Sequence, residues 1–203
     1  MGKMDEQIIV VPREKLFENE TLTFNWNNSD KKIVEKIFKN IFNNFSIMRR
    51  WDAEENPNFK QPIPYLIVRK WEEIYLYERL TEWWENRLHN KLSIWVWWHM
   101  NKTNHETFDE ILNDNLTREL EEELDIKATK KELKTIWLIN DDNNEVWKVH
   151  IWILLILDLD LKARVEVKET DQLLWRWISI EELKKEKIYS RLESWSQIAS
   201  NIL

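Results

Sequence analysis

Hydrophobic and polar residues alternate along this chain with two different periods. Between residues 31 and 45, Ile33, Val34, Ile37, Phe38, Ile41, Phe42 and Phe45 recur at helical steps, which predicts an amphipathic helix. Residues 108–126 carry Leu112, Leu116, Leu120 and Leu124 at every fourth position, a stripe that a helix must bury. Shorter apolar runs bounded by polar turns or Pro predict strands at 6–11, 65–70, 73–77, 92–97, 132–139, 146–159, 164–168 and 173–178. The runs at 65–70 and 73–77 read as a hairpin about Trp71, and the acidic stretch 140–144 joins two later strands. Residues 25–30 read as a polar turn, and 49–64, punctuated by Pro57, Pro62 and Pro64, as irregular. Further helices are expected at 179–183 and 189–203. Strands before, around and after a central helix suit a mixed sheet covered on both faces.

The chemistry gathers on the helix at 108–126. Glu119, Glu122 and Glu123 stand at i, i+3 and i+4, so their carboxylates converge on one patch and repel one another. A helix that needed only solubility would intersperse Lys at those spacings. A hard divalent cation removes the repulsion, and carboxylate oxygens are the ligands that Mg²⁺ or Mn²⁺ prefers. Arg118 keeps its proton at any working pH, which suits it to hold a neighbouring carboxylate through a forked hydrogen bond. Thr107, followed three residues later by Glu110, is a capping-box signal for the helix start.

Arg118-Glu119-Leu120-Glu121-Glu122-Glu123-Leu124-Asp125-Ile126 resembles the core of the Nudix box. That motif reads Arg-Glu, an aliphatic residue, any residue, Glu-Glu, any residue, Gly and an aliphatic residue. Glu110 stands eight positions before Arg118, where the motif has its upstream Glu. Two positions depart from it: Asp125 fills the closing Gly slot and Asn104 the opening one. Asp and Asn are the next residues after Gly to tolerate a left-handed backbone.

The resemblance implies an α/β fold, the Nudix α/β/α sandwich with a mixed β-sheet, over residues 62–203, with 1–61 as an N-terminal extension packed on the core. It also implies divalent-metal-dependent hydrolysis of the diphosphate bond in a nucleoside diphosphate linked to another moiety. Mg²⁺ (or Mn²⁺) is the expected cofactor. Arg118, Glu119, Glu122 and Glu123 are the expected catalytic residues. Glu119, Glu122 and Glu123 are the expected metal ligands, with Glu110 reaching the metal through a water or serving the helix N-terminus. Substrate contacts are expected from Arg87, Trp97, Trp98 and His99. The general base is a box Glu or a later carboxylate, Glu166 or Glu169. The alternative is a catalytically inactive Nudix-fold nucleotide-binding or regulatory module, which has no need of three clustered carboxylates. The isomerase branch of the fold calls for a reactive Cys, and the chain has none.

Composition narrows the partners. The 203 residues are 43% hydrophobic and 33% charged, values of an ordinary globular domain. A net charge of -7 argues against a phosphate-binding nucleic-acid surface. With no Cys, disulfides, zinc-thiolate sites and cysteine nucleophiles are excluded. No His-Glu-x-x-His run occurs either. No apolar run reaches membrane-spanning length, and no signal-peptide pattern opens the chain, so a cytoplasmic protein is expected. The expected partner is a small nucleotide derivative, without a membrane, and a homodimer is compatible with the resemblance.

One feature of the composition is abnormal: fourteen Trp stand against a single Gly. Trp26, Trp71 and the pair Trp83-Trp84 occupy polar connections where turn chemistry calls for Gly. Trp95-Val96-Trp97-Trp98-His99 stands where Nudix relatives carry Gly-x-Gly-Gly-His. Most of these Trp are therefore expected to correspond to Gly in the functional protein, as when a genome that reads UGA as Gly is translated with a table that reads it as Trp; the alternative is genuine Trp serving as core residues or as stacking platforms for sugars or bases. The abundance of Asn, Lys and Ile fits such an AT-rich genome. Trp177, in a strand, and Trp195, on a helix face, read as genuine aromatic anchors.

Overall fold

A computed structural model describes residues 2–28, 30–79, 91–94, 96–143, 147–168 and 173–203, with the side chains of all but Arg79, Val96, Trp97 and Leu173. In chain order its elements are β1 (Gln7–Pro12), α1 (Arg13–Leu16), β2 (Trp26–Asn28), α2 (Lys31–Asn44), β3 (Ser46–Arg49), α3 (Arg50–Glu54), β4 (Phe59–Lys70) and β5 (Glu73–Arg79). There follow β6 (Leu92–Ser93), β7 (Val96–Trp97), α4 (Phe108–Glu123), β8 (Leu124–Lys127), β9 (Lys131–Asn140) and β10 (His150–Leu159). The chain closes with β11 (Arg164–Val167), β12 (Leu173–Ser179), α5 (Ile180–Leu183), α6 (Glu186–Tyr189) and α7 (Ser194–Ser200). The fold is α/β, a mixed sheet with helices. No described helix is long and apolar enough to cross a membrane.

The chain forms two compact units. The first comprises Met1–Tyr65, Trp97–Arg118 and Ile136–Leu154. Here β1 pairs antiparallel with β3, Ile8 opposite Met48, and with β4, Val11 opposite Lys60. Strand β2 pairs with β9, Asn27 opposite Ile139. The helix predicted at 31–45 is α2. Its N-cap, Asp30, accepts from the amides of Lys32 and Ile33, and its apolar face buries Val34, Ile37 and Ile41. Phe42 and Phe45 bring their rings to 5.4 and 6.0 Å from that of Phe108, the first residue of α4.

The second unit comprises Leu66–Val96, Glu119–Thr135 and Leu155–Leu203. The hairpin about Trp71 forms as expected, with Lys70 opposite Glu73. Strand β12 runs antiparallel along β5 and sets Trp175 opposite Tyr77 and Trp177 opposite Tyr75. The paired rings lie 4.5 and 4.9 Å apart, and Lys70 places its ammonium 4.3 Å from the centre of Trp177. Trp195, on α7, is buried. Trp195 is thus the helix-face anchor the sequence suggests, whereas Trp177, expected to be buried, is half-buried and packs on Tyr75 and Lys70.

Several local expectations are corrected. The segment 49–64 is not irregular: it holds α3 and the first half of β4, with Pro62 and Pro64 inside the strand. The two prolines share one parity, so their missing N–H groups fall on one side of the strand, while Gln61, of the other parity, donates to the Val149 carbonyl at 2.7 Å. Part of the turn at 25–30 is β2. The acidic helix stops at Glu123, and Leu124–Lys127 turns into a strand held by β11, Val165 opposite Ile126. Strand β10 starts at His150, and residues 147–149, expected within the strand, form a turn in which the His150 amide donates to the Trp147 carbonyl at 2.8 Å. The last helix is two short ones, α6 and α7. Between them Leu92 donates to the Arg191 carbonyl, and Glu193 donates back to Leu92, drawing that backbone out of helical form.

Candidate active site

Helix α4 begins where the capping signal predicted. The Thr107 hydroxyl accepts from the Glu110 amide at 3.4 Å and donates to the Glu110 carboxylate at 2.5 Å. That bond holds the exposed Glu110 carboxyl below its usual range. Of the predicted stripe, Leu112, Leu116 and Leu124 are buried and Leu120 is half-buried. On the other side of the helix Glu122 is exposed, while Arg118, Glu119 and Glu123 are half-buried. Helical spacing sets these carboxylates on one patch.

Asn115 fixes the helix to the segment that leads into it. Its side-chain oxygen accepts from the Asn101 amide at 2.9 Å and from Arg118 Nη2 at 3.2 Å. Its side-chain nitrogen donates to the carbonyls of Asn101 and Ile111, each at 2.9 Å. Sequence reasoning missed this residue. The signal was a poor helix former at helical steps from Ile111 and Leu112, on the apolar face; there Asn115 is 1% exposed, and its amide needs partners.

At the other end of α4, the Lys168 amide donates to the Glu123 carbonyl at 3.0 Å, and the Lys168 ammonium to the carbonyl of Glu121. Two of the otherwise unpaired terminal carbonyls are thus satisfied by the end of β11. The same strand carries Glu166, exposed and opposite Asp125. Asp125 and Asn104, in the motif's Gly slots, both avoid positive φ; Asp125 is extended in β8. Two of the suspected Gly positions do need it, Trp26 at φ 72° and Trp71 at φ 58°, and both indoles are largely exposed. Trp98 is buried beside His99, its indole nitrogen without a hydrogen-bond partner. Arg87, His89, Trp95, Glu169, the pair Trp83-Trp84 and the Trp97 side chain lie outside the described residues.

No family model matches the chain. The protein YmaB of Bacillus subtilis (strain 168) is 49% identical over an alignment 205 positions long, which spans 100% of both chains. The crystal structure of Tm1382, named there as a candidate Nudix hydrolase, is 27% identical, covers 97% of each chain and superposes with a TM-score of 0.78. This chain belongs to the Nudix family. A MutT Nudix hydrolase from Burkholderia pseudomallei, 16% identical, aligns over 70% of this chain and 96% of its own at a TM-score of 0.43.

The first unit also holds two polar clusters that sequence reasoning did not find. In one, Asp142 receives Arg13 Nη1 and Nη2, each at 2.8 Å, and Lys60 Nζ at 2.7 Å. Lys60 is fully buried, and burial pushes its ammonium down to about 8 against the opposing pull of Asp142. Burial pushes the Asp142 carboxyl up, but Arg13 and Lys60 outweigh it and hold it well below the usual carboxylate range. In the other cluster, Glu54 at the end of α3 faces His99 Nε2 at 3.2 Å and His150 Nε2 at 3.7 Å. Burial pushes the Glu54 carboxyl up, yet the imidazoles of His99 and His150 and the Arg50 guanidinium beside it hold it at about 2. These residues are far apart in sequence, and nothing in a linear reading pairs them.

Proposed function

We propose that this Nudix protein hydrolyses the diphosphate bond of a nucleoside diphosphate linked to another moiety. The observation that carries the reading is the acidic patch of α4, where Glu119, Glu122 and Glu123 share a helix with Arg118. Oxygen donors alone, clustered and partly open to solvent, fit a hard divalent ion such as Mg²⁺ or Mn²⁺. When bound, the ion supplies charge neutralisation for the diphosphate and acidifies a water. The protein groups do the rest. Glu119, Glu122 and Glu123 hold the ion, and Arg118 orients the patch from the Asn115 oxygen on which it rests. Glu110, whose carboxylate accepts from the Thr107 hydroxyl, makes an outer contact through water.

Glu166 is our choice for the carboxylate that takes the proton of the attacking water. Its strand is bonded to the C-terminal end of α4 through Lys168, and its side chain is open to solvent. Substrate contacts are assigned to Arg87 and to Trp97, Trp98 and His99 at the end of the strand that leads to α4. Because the Trp98 and His99 side chains are buried, contact there would run through backbone amides. Small residues at 97 and 98 would let a diphosphate approach that backbone closely.

The test is a phosphate-release screen over nucleoside diphosphate derivatives with Mg²⁺, using the chain as written and the Trp97→Gly/Trp98→Gly form beside a Glu122→Gln control. Turnover of at least one derivative, reduced about a hundredfold or more in the control, is expected. Nucleotide binding without turnover by any form would instead identify a regulatory module.

A further inference from the structure

Glu54, His99 and His150 gather in one cluster within the first unit. One ligand atom from each lies within 4.8 Å of the other two. The carboxylate straddles the imidazoles, with Oε1 3.2 Å from His99 Nε2 and Oε2 3.7 Å from His150 Nε2. Ligands about 2.0–2.1 Å from a tetrahedral zinc ion lie about 3.3 Å from one another, so the two measured separations bracket that of a coordination shell. The rings themselves stand 5.7 Å apart, inclined at 67°.

We propose that Glu54, His99 and His150 form a second metal site, separate from the carboxylates of the Nudix box and selective for a borderline transition ion of the Zn²⁺ class. The donor set decides the class. Two imidazoles and one carboxylate are the ligands of zinc centres that keep a fourth position open, and of other imidazole-preferring ions, whereas the box offers oxygen alone and suits Mg²⁺. Burial adds to selectivity: His99 is 8% exposed and His150 5%, so a bound ion would be largely shielded from competing water.

The backbone around the ligands is already fixed. Glu54 closes α3, and its Oε1 accepts from Arg50 Nε at 3.4 Å. Met100, next to His99, accepts from the Ile9 amide at 2.8 Å, and Asn101 is clamped by Asn115 at 2.9 Å. His150 opens β10, where its carbonyl accepts from Lys60 Nζ at 3.2 Å and its amide donates to Trp147 at 2.8 Å. An ion there would tie α3, the strand end before α4 and β10 into one knot inside the first unit. It would bind to the folded chain alone, since the ligands are 45 and 51 residues apart in sequence (99 - 54 and 150 - 99), and so would stabilise the fold in proportion to its occupancy.

The experiment is a Zn²⁺ titration of the metal-stripped full-length protein against a chromophoric chelator, with excess Mg²⁺ present to occupy the box. One Zn²⁺ per chain is expected, with affinity reduced at least tenfold in His150→Ala and in Glu54→Gln and unchanged in Glu122→Gln. Zn²⁺ should also raise the thermal midpoint of the wild type and not that of His150→Ala. Should either variant fail to fold, nitrogen-15 imidazole spectra of the wild type serve instead. Zn²⁺ must then shift His99 and His150 and leave His89 and His105 in place. Failure to compete with the chelator, loss of the ion in Glu122→Gln, full retention in a folded His150→Ala, or unmoved His99 and His150 resonances would each overturn the proposal.

Discussion

Trp26 and Trp71 hold left-handed backbone, at φ 72° and 58°, with largely exposed indoles that gain little from burial. A side chain in that region costs about 1–2 kcal/mol, and Gly removes the cost at the expense of some unfolded-state freedom. Trp71→Gly is therefore expected to stabilise the protein by up to about 1 kcal/mol in urea denaturation, a direction opposite to the usual loss on deleting an aromatic. An unchanged or lowered midpoint would separate these turns from the glycine reading. That reading predicts an intact mass of the natively produced protein below the one calculated with all fourteen Trp, and a mass equal to it would refute the reading. Asp142 is the opposite kind of residue, one whose removal costs far more than its exposure suggests. Asp142→Asn leaves the fully buried Lys60 without its anion, and a loss of about 3–5 kcal/mol of stability is expected. Replacing Lys60 by Met in the same protein should recover part of that loss, because the buried charge is then gone as well.

At the level of elements, the acidic helix was legible because its signals are local. Leucine spacing, the Thr107–Glu110 cap and the box residues all lie within one stretch, and the structure places the helix start as expected. Its end was not legible, since Leu124–Lys127 pairs with β11, about forty residues later, and an apolar residue at a helical step also fits the first position of a strand. Prolines misled the reading of β4 for a related reason. Their missing donors matter only on one side of the strand, and which side is bonded is a property of the sheet. Asn115 links the helix to the chain before it, so Asn115→Ala should cost about 1–3 kcal/mol through the polar groups of Asn101 left behind. Hydrogen exchange should quicken at the Asn101 amide before it does at the core of β1. Equal exchange in both proteins would show that the clamp contributes nothing.

For the whole molecule, likeness to Tm1382 over nearly all of the chain supports the Nudix family and the α/β fold that the box residues indicate. The Glu54, His99 and His150 cluster and the Asp142 network were invisible, because each depends on residues brought together only by folding. Acid should expose part of that arrangement. Asp160 accepts from the Lys130 amide, from the hydroxyl and amide of Thr129 and from the Lys162 amide, which lower its carboxyl to about 2, and Asp142 is lowered by its cations. Both are depressed in the folded state, so their stabilisation is present above about pH 4 and is lost as pH falls toward 2. A denaturation midpoint flat across that window would contradict these assignments. The most direct test of the functional account is turnover of a nucleoside diphosphate derivative at saturating Mg²⁺ by a protein in which Glu119, Glu122 and Glu123 are all Gln. The account predicts an intact fold with hydrolysis reduced to the uncatalysed background. A rate within twofold of the parent protein would contradict it.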